Sequence, residues 1–327
     1  MPCAHALLCF QTNQERKAER EFKILVHSPL QQLHSPLRSG EETRIQEKNK
    51  HTMPRLRLPL LLLLLLLFLL LVLASSSVPP PSDKVVFILA GQSNMAGRGG
   101  VVANRWDGVV PPDCAPSPAV LRLTPDLRWE QAREPLHAGI DDAAATHHAA
   151  LGVGPGMAFA NALLRSGRAA AVVGLVPCAV GGTRMADWAR GTDLYAQMLR
   201  RARVAVETGG RIGALLWYQG ESDTVRWSDA AEYGRRMATL VRDLRADLGI
   251  PHLLVIQVGL ASGLGQYTQV VRDAQKGIKL RNVRFVDAMG LPLQDGHLHL
   301  STQAQVQLGH MLAQSYLNYY GTTTSQL

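Results

Sequence analysis

The sequence predicts a three-layer α/β/α fold around a five-stranded parallel sheet. Three observations predict it. Short runs rich in Val, Ile and Leu alternate with segments of helical spacing, the pattern of repeated βαβ units. The runs are continuously apolar rather than alternating, as strands covered on both faces are. Polar and glycine clusters follow the ends of the runs, where sheets of this class bind their ligands.

The first strand, Val85–Ala90, runs into Gly91 and then Ser93. The stretch from about Gly97 to Gly154 is dense in Pro, Gly and Asp and reads as a long loop region with short elements. A helix follows over Met157–Arg165, with Pro155 near its start and Gly167 past its end. Ala170–Val176 is the second strand and Asp193–Thr208 the next helix, stopped by Gly209-Gly210. Ile212–Tyr218 is the third strand, and Asp229–Leu248 a helix ended by Gly249-Ile250-Pro251. His252–Val258, a helix over Tyr267–Lys279, Val283–Val286 and a closing helix over Leu300–Tyr319 complete the alternation. One domain over residues 83–321 accounts for all of these elements, leaving a short tail at 322–327.

Ahead of that domain the grammar differs. Residues 1–52 are polar, charged and aperiodic, and read as disordered or as an upstream extension. From Met53 the chain has a short basic stretch with Arg55 and Arg57, then a leucine run, then Ala74-Ser75-Ser76-Ser77 and a proline cluster. Residues 53–82 therefore read as a secretory signal peptide starting at Met53, followed by a Pro-rich linker. The rival is a signal anchor that holds the protein in the membrane. The unbroken apolar run Leu60–Ala74 has 15 residues, short of the roughly 20 that span a bilayer.

Composition excludes several classes. With 46% hydrophobic and 18% charged residues, the chain can bury a sizeable core. Residues 1–74 carry 10 Lys and Arg against 6 Asp and Glu, and the rest 24 against 20, so each part contributes +4 of the net +8. The folded part is only mildly basic and has no basic stripe interleaved with aromatics, so nucleic-acid binding is not expected. No CxxC pair or His-rich ligand spacing points to a metal, although His137, His147 and His148 share the long loop region. Cys114 and Cys178 are either one disulfide or two buried thiols.

Four polar clusters converge on the carboxyl edge of such a sheet: Ser93, Gly181-Gly182-Thr183, Gln219-Gly220-Glu221-Ser222-Asp223 and Asp295-Gly296-His297-Leu298-His299. A serine just past a strand end is either a capping residue or a nucleophile awaiting a base. A nucleophile, backbone N–H groups, an amide and a histidine on one rim make an acyl-transfer site. Glu221 and Asp223 admit a second reading as a general acid/base pair for glycoside hydrolysis, but residues i and i+2 do not share a helix face. Otherwise they fix loop geometry through hydrogen bonds. Trp106, Trp129 and Trp227 are either core or a sugar-stacking platform.

The four clusters, in order over Lys84 to Tyr320, resemble the SGNH (GDSL-like) hydrolase superfamily. More closely, the chain is similar to the sialate O-acetylesterase-type plant carbohydrate esterases, related to carbohydrate esterase family 6. Gly91-Gln92-Ser93-Asn94-Met95, Gly181-Gly182-Thr183 with Trp188, Trp217 to Asp223, and His299-Leu300-Ser301 carry that resemblance. It implies a flavodoxin-like SGNH fold and a serine esterase that removes acetyl groups from carbohydrate without metal or cofactor. Ser93 is the implied nucleophile and His299 the base. The implied oxyanion hole is the N–H of Ser93, the N–H of Gly182 or Gly181, and the side chain of Gln219. Gln92, Asn94 and Glu221 are the candidates for substrate contact. The family places its Asp three residues before the His; here that position is Gly296, and Asp295 lies four before His299 and two before His297. Asp295 can orient His299 after a local adjustment, or His297 is the base, or His299 works without a carboxylate. A carbohydrate-binding or membrane-anchored protein that kept the fold and lost activity is the alternative function.

Overall fold

The computed structural model describes residues 84–141, 149–168 and 171–323. All belong to the compact unit Ser77–Leu327, while the unit Met1–Ser76 lies outside the described residues. The extension, the leader from Met53, His147 and His148 therefore fall outside them too. Among the described residues no helix is long and apolar enough to cross a membrane.

The strands are β1 (Lys84–Gly91), β2 (Val101–Val102), β3 (Arg105–Trp106), β4 (Val120–Leu123), β5 (Trp129–Gln131), β6 (Val172–Pro177), β7 (Gly210–Tyr218), β8 (Leu254–Gly259) and β9 (Val283–Asp287). The helices are α1 (Ser93–Ala96), α2 (Pro155–Ser166), α3 (Asp193–Glu207), α4 (Trp227–Leu248), α5 (Thr268–Lys276) and α6 (Thr302–Thr323). The main sheet has seven strands in the order β5-β4-β6-β1-β7-β8-β9, and β2 and β3 form a separate hairpin.

The three-layer class stands, but the sheet has seven strands where five were expected. The additional two, β4 and β5, come from the stretch read as loop. β4 runs parallel to β6, and β5 pairs antiparallel with β4 at the sheet edge. With four and three residues, they are too short to raise a periodic signal among so many prolines and glycines. At the other end, α6 extends to Thr323, into the stretch expected to be tail.

β1 explains the layering. All eight of its residues are buried, and successive side chains point to opposite faces. Phe87 packs edge-on against Phe159 of α2 and Tyr316 of α6, at centroid distances of 4.7 and 4.9 Å. Val86 faces the other way, toward the end of α3. The α2–α6 layer depends on Gly309: a Cβ there would lie 2.7 Å from both the Ala158 Cβ and the Pro155 carbonyl. Trp188 and Trp217 pack edge-on at 5.3 Å. Full burial of side chains this large contributes roughly 1.5–3 kcal/mol each.

Strand order positions the site. From β1 the chain moves to β6 on one side and then to β7 on the other. The carboxyl end of β1 is therefore the point where the winding reverses, and a crevice opens there.

Candidate active site

Ser93 stands at that reversal. Gly91 has φ +128°, and a Cβ on it would sit 2.0 Å from the Tyr218 carbonyl oxygen. Only glycine lets β1 press this close to β7 while turning. Gln92 is extended and donates its N–H to Tyr218 O at 2.8 Å. Met95 N and Ala96 N then close a turn on Gln92 O. Ser93 opens this single helical turn, so its own N–H lies outside the ladder.

His299 reaches Ser93 from 206 residues away, its Nε2 3.0 Å from Ser93 Oγ. A tight hairpin ahead of α6 carries it. Gln294 N donates to His299 O at 2.8 Å, His297 N to Gln294 O at 2.8 Å, and Ser301 N to Pro292 O at 3.0 Å. Residues 295–297 form the exposed tip of that hairpin. The tip absorbs the register difference noted above. Asp295 is exposed and makes no hydrogen bond to His299, and His297 sits at φ +52°, also exposed. The structure brings Ser93 and His299 together and does not bring Asp295 or His297 to them.

Asn94 holds the histidine hairpin. It is fully buried. Its Oδ1 accepts from Leu300 N at 2.9 Å, and its Nδ2 donates to Leu298 O at 3.3 Å and to Glu221 Oε1 at 2.7 Å. The peptide groups on either side of His299 are thus tied to the residue after Ser93. Ser262 Oγ adds a 2.6 Å bond to the same Leu298 carbonyl. Gln92 secures the other flank: its Oε1 accepts from Gly220 N and Gln219 Nε2, both at 3.2 Å. Asn94 and Glu221, expected to contact substrate, are instead buried braces. Gln92 does line the cavity, though its amide is largely spent on the β7 loop.

The glycine turn resolves into two roles. Gly181 donates its N–H to Asp141 Oδ1 at 2.7 Å, and Asp141 Oδ2 pairs with Arg98 Nη2 at 2.5 Å, both side chains buried. A Cβ on Gly181 would lie 2.9 Å from Arg98 Nη2 and 3.5 Å from Ser93 Cβ. Gly182, at φ +72°, is exposed on the cavity wall. Gln219 is fully buried, and its Nε2 faces Asp223 Oδ2 at 2.6 Å, Thr183 O at 2.9 Å and Gln92 Oε1 at 3.2 Å. Three acceptors already compete for its two hydrogens, so its amide is not turned into the cavity.

The cavity holds about 180 Å³ and is walled by Ser93, His299, Gly182, Arg98, Leu264 and Leu298. Pockets for drug-sized ligands run to about 300–1,000 Å³; this one suits a small acyl group with its alcohol part at the mouth. Burial, reinforced by the Arg98 cation and opposed by Asp141, pushes His299 down to about 4, so the imidazole is neutral at neutral pH. Burial raises Glu221 to about 7, against the Asn94 hydrogen bond, and its Oε2 has no partner. Burial also raises Asp223 to about 6, although it accepts from Met185 N and Gln219 Nε2.

Sequence reasoning missed Arg98, Asp141 and Ser262. Asp141 lies 43 residues from the arginine it pairs with, in a loop without periodicity. Cys114 and Cys178 are separate buried thiols, not a disulfide. His137 is buried, and burial lowers it to about 4. Among the described residues, no cluster of three or more His, Cys, Asp or Glu is placed to hold a metal ion. Trp129 is committed at the amino edge of the sheet, under Lys84 at 4.0 Å and donating to Thr208 Oγ1 at 2.7 Å.

Comparison with known proteins gives the family and the fold. Residues 83–318 match the family model described as carbohydrate esterase, sialic acid-specific acetylesterase. Over 242 residues the chain is 53% identical to an Arabidopsis thaliana protein described as a "probable carbohydrate esterase", covering 72% of this chain and 91% of that one. An Arabidopsis thaliana X-ray structure with 53% identity superposes with a TM-score of 0.68, over 73% of this chain and 99% of the other. The NanS crystal structure, 18% identical, covers 75% of this chain and all of its own at a TM-score of 0.57, a likeness of fold.

The unusual state of Glu221 has a measurable consequence. Its native carboxyl keeps a proton up to about pH 7, while an unfolded glutamate releases it near 4.5. The native state then binds more protons, so this residue costs stability progressively as pH rises from 4.5 to 7. Glu221→Gln cannot ionise in either state and still offers an oxygen to Asn94. Denaturant unfolding at pH 5 and pH 7.5 should show the variant gaining on wild type by about 2 kcal/mol between the two. A pH-independent difference would mean that Glu221 is ionised in the fold.

Proposed function

We propose, from the premise that this chain belongs to the carbohydrate esterase, sialic acid-specific acetylesterase family, that it is a serine esterase releasing acetate from acetylated carbohydrate. The observation that carries the mechanism is the 3.0 Å contact between Ser93 Oγ and His299 Nε2. His299 takes the Ser93 proton as Oγ attacks the ester carbonyl. The tetrahedral oxyanion is met by the N–H groups of Ser93 and Gly182, each such donor being worth about 10²–10³ in kcat. His299 then passes that proton to the departing sugar oxygen, which leaves as a hydroxyl, and acetyl-Ser93 remains. Water enters and attacks the acetyl carbonyl while His299 takes one of its protons; His299 then returns that proton to Ser93 Oγ as the acyl bond breaks, and acetic acid leaves and ionises to acetate.

In this reading Gln219 acts by holding Thr183 and Gln92, and the imidazole is oriented by the Asn94 bonds to its flanking backbone rather than by Asp295. The leader read over 53–82 supports a secreted or lumenal enzyme. The alternative of an inactive carbohydrate-binding protein draws on the missing carboxylate partner; the seated Ser93–His299 pair weighs against it.

Purified protein should hydrolyse p-nitrophenyl acetate and release acetate from acetylated polysaccharide. Ser93→Ala and His299→Ala should each lower kcat by about 10³–10⁴ or more. His297→Ala and Asp295→Ala should stay within about threefold of wild type. A large loss in Asp295→Ala, with the fold intact by circular dichroism, would show that the hairpin rearranges to bring the carboxylate in.

The pH profile is a separate check. A general base must be neutral, and His299 in the free enzyme is protonated only as pH falls toward about 4. The acid limb of kcat/KM should therefore lie well below the ordinary histidine value of about 6.5. A limb at 6.5 would mean that the imidazole is better solvated, or better paired with an anion, than this geometry shows.

A further inference from the structure

Trp227 stands where the chain leaves the buried turn Glu221–Thr224 and enters α4, with 59% of its surface exposed. Val225 at 51% and Leu264 at 53% are also exposed. The indole is not loose. Tyr267 braces it with ring centroids 5.5 Å apart and planes at 63°. The two segments that carry these side chains are bonded together. Leu264 N donates to Glu221 O at 3.3 Å, Gly265 N to Thr224 Oγ1 at 2.8 Å, and Tyr267 N to Thr224 O at 3.0 Å. Gly265 lies directly on the other segment: a Cβ there would be 2.5 Å from Thr224 O and 2.6 Å from Val225 Cα. Leu264 in turn walls the cavity that holds Ser93 and His299. The bonded segments thus carry Leu264 at the cavity and, farther along, Val225 and the braced indole of Trp227.

We propose that Trp227, backed by Tyr267, is a stacking platform for a pyranose ring adjoining the acetylated residue, so that the substrate is an oligosaccharide or polysaccharide rather than a free acetylated monosaccharide. The proposal rests on the esterase reading above and names its substrate class. A pyranose presents a C–H face that suits an aromatic plane and an equatorial rim of hydroxyls that needs polar partners. Arg226, Ser228 and Gln266 are exposed on the same segments and carry such groups. Size favours a sugar over a protein, because a stable protein interface buries about 800 Å² per partner, whereas the exposed apolar groups here are three side chains. Of the other two candidates from sequence, Trp129 is tied at the opposite edge of the sheet, and Trp106 is half-buried in the β2–β3 hairpin.

The test is a chain-length series. Acetylated xylo-, manno- and pectic oligosaccharides from one to four residues are turned over by full-length wild type, Trp227→Ala and Trp227→Phe. On at least one backbone, wild-type kcat/KM should rise about fivefold to tenfold along the series, the size of one aromatic stacking contact. The rise should come through KM, collapse in Trp227→Ala and survive in Trp227→Phe. A folding defect lowers every chain length alike and leaves the ratio unchanged, so it cannot imitate this result. A flat wild-type series on all three backbones overturns the proposal, as does a gradient that persists in Trp227→Ala. Concentration-dependent self-association abolished by Trp227→Ala, with no saccharide gradient, would give the patch to a protein contact and also overturn it. Calorimetric binding of deacetylated oligosaccharides to Ser93→Ala and Ser93→Ala/Trp227→Ala keeps the two readings separable. Binding through Trp227 without any ester turnover by wild type would sink the esterase and keep the platform. Turnover of p-nitrophenyl acetate with no Trp227-dependent gradient would do the reverse.

Discussion

The site depends on one buried amide. Ser93 and His299 belong to opposite ends of the domain, and the side chain of Asn94 joins them through Leu298 O and Leu300 N. Asn94 has no access to water, so each of these bonds replaces a solvation that is not available elsewhere. Leaving such a buried donor or acceptor unpaired costs about 1–3 kcal/mol, which makes a displaced histidine hairpin expensive. Gln305 Nε2 extends the arrangement by donating to Asn94 O, tying the start of α6 to the turn that carries Ser93. Gln92 does the corresponding task toward the β7 loop. Ser93 thus sits between two residues that clamp its neighbours, and the Ser93–His299 pair is placed by backbone rather than by a chain of carboxylate contacts.

That arrangement shapes the electrostatics. The imidazole beside Ser93 is desolvated and stands near an arginine whose charge Asp141 already balances. Burial favours neutral forms throughout, lowering His299 and raising Glu221 and Asp223. A base of lowered pKa is always ready to accept a proton near neutrality but is a weaker acceptor in the transition state. In the proposed mechanism the N–H groups of Ser93 and Gly182 then carry a larger share of the rate enhancement, since fixed dipoles need no reorganisation as charge develops. The Arg98–Asp141 pair adds a geometric role. Both Gly181 and Gly182 line the cavity, and by engaging the Gly181 N–H the pair takes that donor out of it.

Much of this was legible in the sequence, for identifiable reasons. β1 announced itself because a strand buried on both faces must be apolar throughout, and Ser93 because a glycine can turn the chain against Tyr218 where no other residue fits. β4 and β5 were not legible, since short edge strands carry too few residues for a period and lie among prolines. The two ends of the site also differed in how far residue type could go. Asn94, Glu221 and Gln219 are polar residues in the right blocks, but type does not reveal direction. In the fold their polar atoms turn inward to brace loops instead of facing a ligand. Asp295 was misplaced for a related reason. Counting residues back from His299 assumes an extended approach, whereas the Gln294–His299 pairing folds the intervening residues into an exposed tip. Asp141 could not have been found by spacing at all, because only the tertiary fold sets it against Arg98 and Gly181.

The central claim is that Ser93, activated by His299, forms the covalent acetyl-enzyme. Rapid acid quenching during turnover of p-nitrophenyl acetate, followed by peptide mapping in a mass spectrometer, reads this directly. The account predicts one acetyl group on the peptide containing Ser93, located at Ser93 and absent from His299→Ala quenched at the same time. Turnover at the full rate with Ser93 unmodified, or with acetyl on another residue, would contradict it.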